Sequence, residues 1–343
     1  MEDRVRDHLA TDDDAMKALL CKQFGPPETL VVEDIEGPPL AADQIRIDVH
    51  AAAVNFPDSL IIENKYQTKP ELPFSPGGEL SGVIAEVGRD VTHLKVGDEV
   101  IAFTAYGAFA EQVVAGADRV IPKPGGVDHV TASAFVMTYG TSYHALMDRA
   151  GLQTGETVLV LGASGGVGLA AIEIAKACGA HVIAAASSAE KLAVCTEHGA
   201  DDTINYAEAD LRDEIKRLTD GRGVDVVYDP VGGALTEAGL RSCAWRGRHL
   251  VIGFAAGDIP APPLNLALLK GCSIIGVFWG RFVATEPRQN AADLKALFGL
   301  LADGKLKPHI AGTYPLARGG EAIAALANRA VSGKLVITPR SES

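Results

Sequence analysis

The stretch that most constrains this chain runs from Thr157 to Gly179. TVLVL leads straight into GASGGVG, Gly162 to Gly168, and that turn opens into LAAIEIAKACG. Strand, glycine turn and helix in this order suit a parallel βαβ unit that binds a dinucleotide. Gly165 lets the backbone approach a pyrophosphate, and Gly168 lets the helix pack close to the strand. The free amides of the helix start, over Ser164, Gly165, Gly166 and Val167, face an anion. The match is imperfect, because Ala163 stands where the first glycine of GxGxxG belongs. The same residues also spell GxSxG around Ser164, a pattern that can form a hydrolase nucleophile elbow, and Asp229 and His249 follow in the order a triad needs. Gly168 and the long β-prone segment ahead of the loop favour the cofactor reading.

An NAD site carries an acidic residue at the tip of the second strand, about 20 positions on, for the ribose 2′-hydroxyl. Here that tip reads Ala185-Ala186-Ser187-Ser188, followed by Lys191, and the nearest acid, Glu190, falls in the next helix. Ser187, Ser188 and Lys191 can instead hydrogen-bond and neutralise a 2′-phosphate, so NADPH is the expected cofactor. The plainer alternative for these three is an N-cap serine and an exposed lysine.

The rest of the chain frames that unit. From Lys17 to about Val120 short β-prone runs alternate with turn residues: 30–32, 44–49, 82–87, 99–103 and 110–114. A boundary falls near residue 130, after Pro122, Pro124, Gly125 and Gly126. Strands are then expected at 157–161, 181–186, 203–206, 224–229, 248–254 and 273–278, with helices at 168–178, 189–198 and 207–218. Helices at 289–301 and 319–330 and a closing strand at 334–338 follow. Most of these strands lack polar alternation, as a parallel sheet covered on both faces requires. The fold class is therefore α/β, a β-rich domain plus a doubly wound parallel sheet.

Composition removes other classes. With 47% apolar and 22% charged residues the chain can bury a core, and no run reaches the length of a membrane span. A net charge of −13 argues against nucleic acid or an anionic membrane as a partner. Cys21, Cys178, Cys195, Cys243 and Cys272 are scattered without a CxxC pair and read as reduced thiols. Residues 1–15 hold six acids and two bases without an apolar stretch, and are expected to form a disordered or tag-like tail. A cytoplasmic home is the default expectation.

AAAVNFPDSLIIENKYQTKPELPFSPGGELSGVIAEVG, KVGDEV, GASGGVGLA with SSAEK and INY, GVDVVYDPVGG and NLALLKGCSIIGVFWG occur in one order. In this series the chain from Met16 to Pro339 resembles the zinc-independent quinone oxidoreductases of the medium-chain dehydrogenase/reductase superfamily. The resemblance implies a GroES-like β-rich catalytic domain, residues 16–132 and 281–343, around a Rossmann NADPH-binding domain, residues 133–280, in a homodimer. It also implies hydride transfer from NADPH to a quinone in a cleft between the domains. An enone or enoyl thioester is the alternative acceptor, and an NADPH-binding protein with little turnover is a second alternative.

The zinc-dependent relatives carry metal ligands where this chain has Asn55, Gly78 and Met137, and no four-cysteine lobe interrupts 103–111, so no metal is expected. Cys178 with His181 and Cys195 with His198 share a CxxH spacing, which packing explains better than zinc. By resemblance Asn55 lines the nicotinamide side, Asp58 orients a neighbour or caps a helix, and Tyr66 is placed to protonate the reduced substrate. Thr141 falls near the nicotinamide and Tyr206 against the 2′-phosphate. Gly253 with Phe254, and Phe278, Trp279 and Gly280, run beside the nicotinamide, while Lys334 approaches the phosphates from the returning tail.

Overall fold

The computed structural model describes residues 15–340. Of the tail expected over residues 1–15, all but Ala15 lies outside the described residues. Ala15 itself opens a strand, Ala15–Leu20, paired antiparallel with Val31–Glu36. The chain divides into two compact units. One takes in the described residues up to Ser133, Gly312–Asn328 and those from Leu335 on; the other is Ala134–Ala311 with Arg329–Lys334.

The first unit is built on a sheet in the order Ile310–Pro315, Lys334–Thr338, Gln44–Val54, Glu79–Val87, Glu99–Phe103, Val120–Pro122. Gln44–Val54 pairs antiparallel with the strands on both sides and also with Gln112–Gly116. Its first half alternates, with Ile45, Ile47 and Val49 buried, whereas Ala51 to Val54 are buried on both faces. Irregular register at Arg46/Ile47 and Val49/Ala51 lets one strand of 11 residues serve three partners.

The second unit carries six strands: Thr157–Leu161 (β1), His181–Ala186 (β2), Asp202–Asn205 (β3), Val224–Asp229 (β4), Cys243–Val251 (β5) and Ser273–Gly276 (β6). They lie in the order β3-β2-β1-β4-β5-β6, every neighbouring pair parallel. β1 is buried throughout, because helices cover the sheet. Leu159, Ile183, Ile204, Val227 and Leu240 fill one side. The strand order reverses between β1 and β4, the point where open α/β sheets open a crevice at their carboxyl ends.

Local side-chain chemistry moved several boundaries. The helix expected from Ala207 begins at Leu211, because the Asp210 carboxylate accepts from the Arg212 and Asp213 amides and caps it there. Tyr206 lies just past β3 and donates its amide to Ala186 O. β5 and β6 stop at Val251 and Gly276, so Phe254 and Phe278 sit in the turns after them and not in strands. Residues 281–311, expected with the catalytic domain, belong to the second unit. There Phe298 stacks on Phe135 with 5.6 Å between ring centres, and the Lys307 amide donates to Glu173 at 2.9 Å. Lys334 falls in the same unit.

Candidate active site

The glycine turn has the geometry its sequence demands. Gly162 takes φ +57°, and a methyl group there would lie 2.7 Å from Val231. At Gly168 a methyl group would lie 2.5 Å from the Ala163 carbonyl oxygen, so only glycine lets the helix Gly166–Ala177 start this close to β1. Gly165 is the N-cap. The amides of Gly166, Val167 and Gly168, the first of the helix, have no intrahelical acceptor and form an anion-binding end. The segment before Lys334 runs alongside: Gly333 bridges Gly165 in parallel and donates to Ser164 O at 2.8 Å. Lys334 is buried, and a methyl at Gly166 would meet its Cδ at 2.7 Å and Thr138 Cγ2 at 3.2 Å.

At the tips of β2 and β3, Lys191 Nζ lies 3.5 Å from Ser187 Oγ and donates to the Arg329 carbonyl at 2.9 Å. Ser188 is indeed an N-cap, its hydroxyl accepting from the Lys191 amide. Tyr206 donates its backbone amide to Ala186 O at 3.1 Å, and its side chain packs against the hydrophobic cluster of the sheet. After β4 the Asp229 carboxylate accepts the amides of Val231 and Gly232, both at 2.9 Å, and the Thr236 hydroxyl at 2.6 Å. His249 Nε2 lies 3.2 Å from the same carboxylate. Burial alone would raise the Asp229 carboxyl; the bonds from His249, Thr236 and Gly232 outweigh it and hold it below the usual range.

The Pro230–Gly233 turn thus clamped lies against the turn after β5, since a methyl at Gly232 would meet Phe254 at 2.9 Å and one at Gly253 the Pro230 carbonyl at 3.4 Å. After β6 Phe278 is exposed and caps the helix Trp279–Thr285, with Gly280 in its first turn. The buried Trp279 indole lies on the helix Val136–Tyr143 where Gly140 leaves room, 2.8 Å from an added methyl. Thr141 sits one residue on, within that helix.

In the first unit Asn55 precedes the helix Phe56–Ile61. Asp58 closes its first turn by accepting the Asn55 amide at 2.7 Å and also accepts the Gly77 amide at 3.1 Å. The Asn55 side-chain amide donates to Ala53 O at 3.2 Å and to the Glu79 carboxylate at 3.3 Å. Tyr66 is half-buried; burial, and after it the Asp58 charge, pushes its phenol above its ordinary value.

The chain matches the family described as zinc-binding dehydrogenase over residues 166–296 and the alcohol dehydrogenase GroES-like domain over residues 41–125. It is 39% identical to the quinone oxidoreductase-like protein 2 homolog of Nematostella vectensis, over 94% of this chain and 89% of that protein. It is 35% identical to the quinone oxidoreductase of Homo sapiens, over 92% and 94%. The chain belongs to the quinone oxidoreductase branch of the medium-chain dehydrogenases/reductases. A crystal structure of Escherichia coli quinone oxidoreductase complexed with NADPH superposes with a TM-score of 0.86 at 29% identity, over 95% of this chain and 99% of that one.

Within this quinone oxidoreductase framework the competing readings of the sequence fail on geometry. His249 is fully buried, and its Nδ1 has no hydrogen-bond partner among the described residues, so it does not serve Ser164 as a base. The Asp229–His249 pair secures a turn. The two CxxH pairs do not converge: Cys178 Sγ faces Leu152 O, His181 binds Asp202 at 2.7 Å, His198 binds Glu173 at 2.6 Å, and Cys195 is buried with its thiol pushed up to about 12. Sequence reading missed Arg329, which presents its carbonyl to Lys191 and donates its guanidinium to Ala255 O at 2.7 Å. No motif marks it; it arrives 138 positions after Lys191 and 74 after Ala255. Thr138, beside Gly166, and Gly140, under the Trp279 indole, also carry no motif and were missed.

Proposed function

We propose that this chain is an NADPH-dependent reductase that delivers hydride to a quinone without a catalytic zinc. The observation that carries the reading is the Lys191 ammonium beside the Ser187 hydroxyl just past β2, where the nearest carboxylate, Glu190, is engaged by the Ser188 hydroxyl and its own helix start. A carboxylate there would favour the ribose hydroxyl of NADH; a lysine ammonium and hydroxyls favour a phosphate. The donor set fits the whole dinucleotide. Gly166 to Gly168 offer amides to the pyrophosphate and Lys334 passes beside them. Gly253, Phe254 and Phe278 to Gly280 line the turns after β5 and β6 at the same edge of the sheet.

Bound NADPH supplies the hydride. Asp58 acts by position, holding the Asn55 turn to Gly77. Asn55 presents a carboxamide, Gly78 no side chain and Met137 a thioether where the zinc-dependent relatives carry ligands. This set lacks the thiolates and imidazole that hold zinc. Tyr66 keeps its proton at neutral pH, since its phenol is raised, and supplies it to the reduced acceptor. A quinone then takes up one hydride and one proton and leaves as the hydroquinone.

The homodimer belongs to this reading. β6 is an edge strand, and Ile274 on it, with Trp245 on β5 and Leu268 and Leu269 in the helix that precedes it, is exposed, Leu268 to 80%. Sedimentation of Leu268→Glu is expected to show monomer; an unchanged species would end the edge-strand dimer.

The experiment on function is a set of initial rates with NADPH and NADH, each against an ortho-quinone and a simple enone. NADPH-specific turnover of the quinone is expected. Turnover of the enone alone would assign a double-bond reductase, and binding of NADPH without turnover would assign a binding protein.

A further inference from the structure

His144, Asp148 and Asp293 form a cluster that hydride transfer does not use. His144 and Asp148 lie one turn apart in the segment His144–Arg149, and Asp293 projects from the helix Pro287–Ala302. One ligand-type atom from each lies within 4.8 Å of the others. His144 Nδ1 is 2.8 Å from Asp148 Oδ2, and its ring stacks on Phe282 at 3.9 Å and 16°, which fixes the plane of the imidazole.

Asp293 is the telling member. It is only 6% exposed, its Oδ1 accepts from Gln289 at 2.9 Å, and its Oδ2 has no hydrogen-bond partner among the described residues. A buried carboxylate oxygen is costly to leave unpaired, and here it faces a second carboxylate. A positive charge between the two relieves both penalties. Asn290 Oδ1, one turn earlier on the same helix, is a second buried acceptor without a partner among the described residues.

We propose that His144, Asp148 and Asp293 bind one divalent transition-metal ion. One imidazole nitrogen and two carboxylate oxygens are ligands for zinc, cobalt or manganese, whereas calcium and magnesium take oxygen donors alone. The Asp148 side chain, a quarter exposed, gives the ion a path in and leaves a position for water. Ligand atoms around such an ion stand about 3–4 Å apart at bond lengths near 2.1 Å, a spread that rotation of Asp148 reaches. The ion would tie the helix Pro287–Ala302 to the end of Val136–Tyr143, a structural role separate from the hydride chemistry. The competing occupant is one proton shared by Asp148 and Asp293; burial, and then the facing Asp148, push the Asp293 carboxyl up to about 6.

The test is titration of untagged, chelator-stripped full-length protein with Co²⁺ at pH 7.5, followed by visible absorption and calorimetry. One equivalent is expected to bind with a d–d band and to raise the melting temperature. Asp148→Asn, at a partly exposed side chain, and Asp293→Asn are expected to weaken binding at least about 10–100-fold. Circular dichroism checks their folding, and Cys178→Ser should bind as the unaltered protein does. Absence of saturable binding in the unaltered protein, or binding that survives both Asp variants, overturns the site. A protonated carboxyl band in the infrared, lost in Asp293→Asn and insensitive to Co²⁺, would assign the proton instead.

Discussion

Replacing Lys191 with alanine tests cofactor choice at its source. The ammonium is already held at the tips of β2 and β3 by the Arg329 carbonyl at 2.9 Å and stands 3.5 Å from Ser187 Oγ, so little side-chain freedom remains to be lost when a phosphate arrives. Coulomb attraction between unit charges at 4 Å, with an effective dielectric constant of 20, sets a ceiling of about 4 kcal/mol. Lys191 is partly exposed, and screening reduces this toward the about 1.5–3 kcal/mol of a hydrogen bond between charged groups. At 1.4 kcal/mol per decade, the Lys191→Ala protein should bind NADPH about 10- to 100-fold more weakly. NADH has no 2′-phosphate to lose, so its affinity should change by less than about threefold, the share of the lost Arg329 contact. Dissociation constants for both coenzymes, measured by calorimetry at low and high salt, give the comparison. The NADPH penalty should also shrink with salt. Equal weakening of both coenzymes, or no weakening of NADPH, would refute the phosphate site and leave Lys191 as a helix-surface residue.

Gly168→Ala should force the helix off β1, since the new methyl meets backbone at 2.5 Å; a loss of about 1–3 kcal/mol in urea melts, with weaker NADPH binding, is expected. Retained stability and affinity would show that the turn has slack. Tyr66→Phe should lower turnover of an enone about 10²-fold or more and a quinone less, because a hydroquinone anion takes its proton from water. With the phenol raised, the unaltered enzyme should lose no activity through this group between pH 6 and 9, and unchanged enone rates in the variant would remove Tyr66 as the acid. The Asp229 carboxyl is lower in the folded chain than in the unfolded one, where it titrates near 3.9. Its contribution is therefore complete above about pH 4 and lost as pH falls through the folded value. Urea midpoints between pH 2 and 7 should fall less steeply at the acid end for Asp229→Asn, which starts about 1–3 kcal/mol less stable; parallel curves would contradict the clamp.

The β1–glycine–helix unit was legible because every part of it is local. Five consecutive residues make a strand buried on both faces, and the glycines meet steric demands set by neighbours a few positions away. The Ser187–Lys191 tip was legible for the same reason, one helical turn holding hydroxyl and ammonium together. Asp58 was left between orienting and capping, and the structure shows a carboxylate that closes the first turn of its helix and also reaches Gly77. Boundaries shifted where a side chain competed with the backbone, as Asp210 did in delaying the helix after β3.

Sequence alone determined the strand, turn and helix grammar of the second unit and the serines and lysine that follow its second strand, while only the family resemblance singled out Asn55, Gly78 and Met137. Only the tertiary structure decided that Arg329 returns to Lys191, that Gly333 and Lys334 return to the glycine turn and that Trp279 seats on Gly140. It alone placed residues 281–311 with the sheet and brought Asp293 to His144 and Asp148. Those pairings join residues more than 100 positions apart. They are set by packing of side chains that carry no local signature, and a period of 2 or 3.6 in the sequence reports only which face of an element is buried, not what it meets.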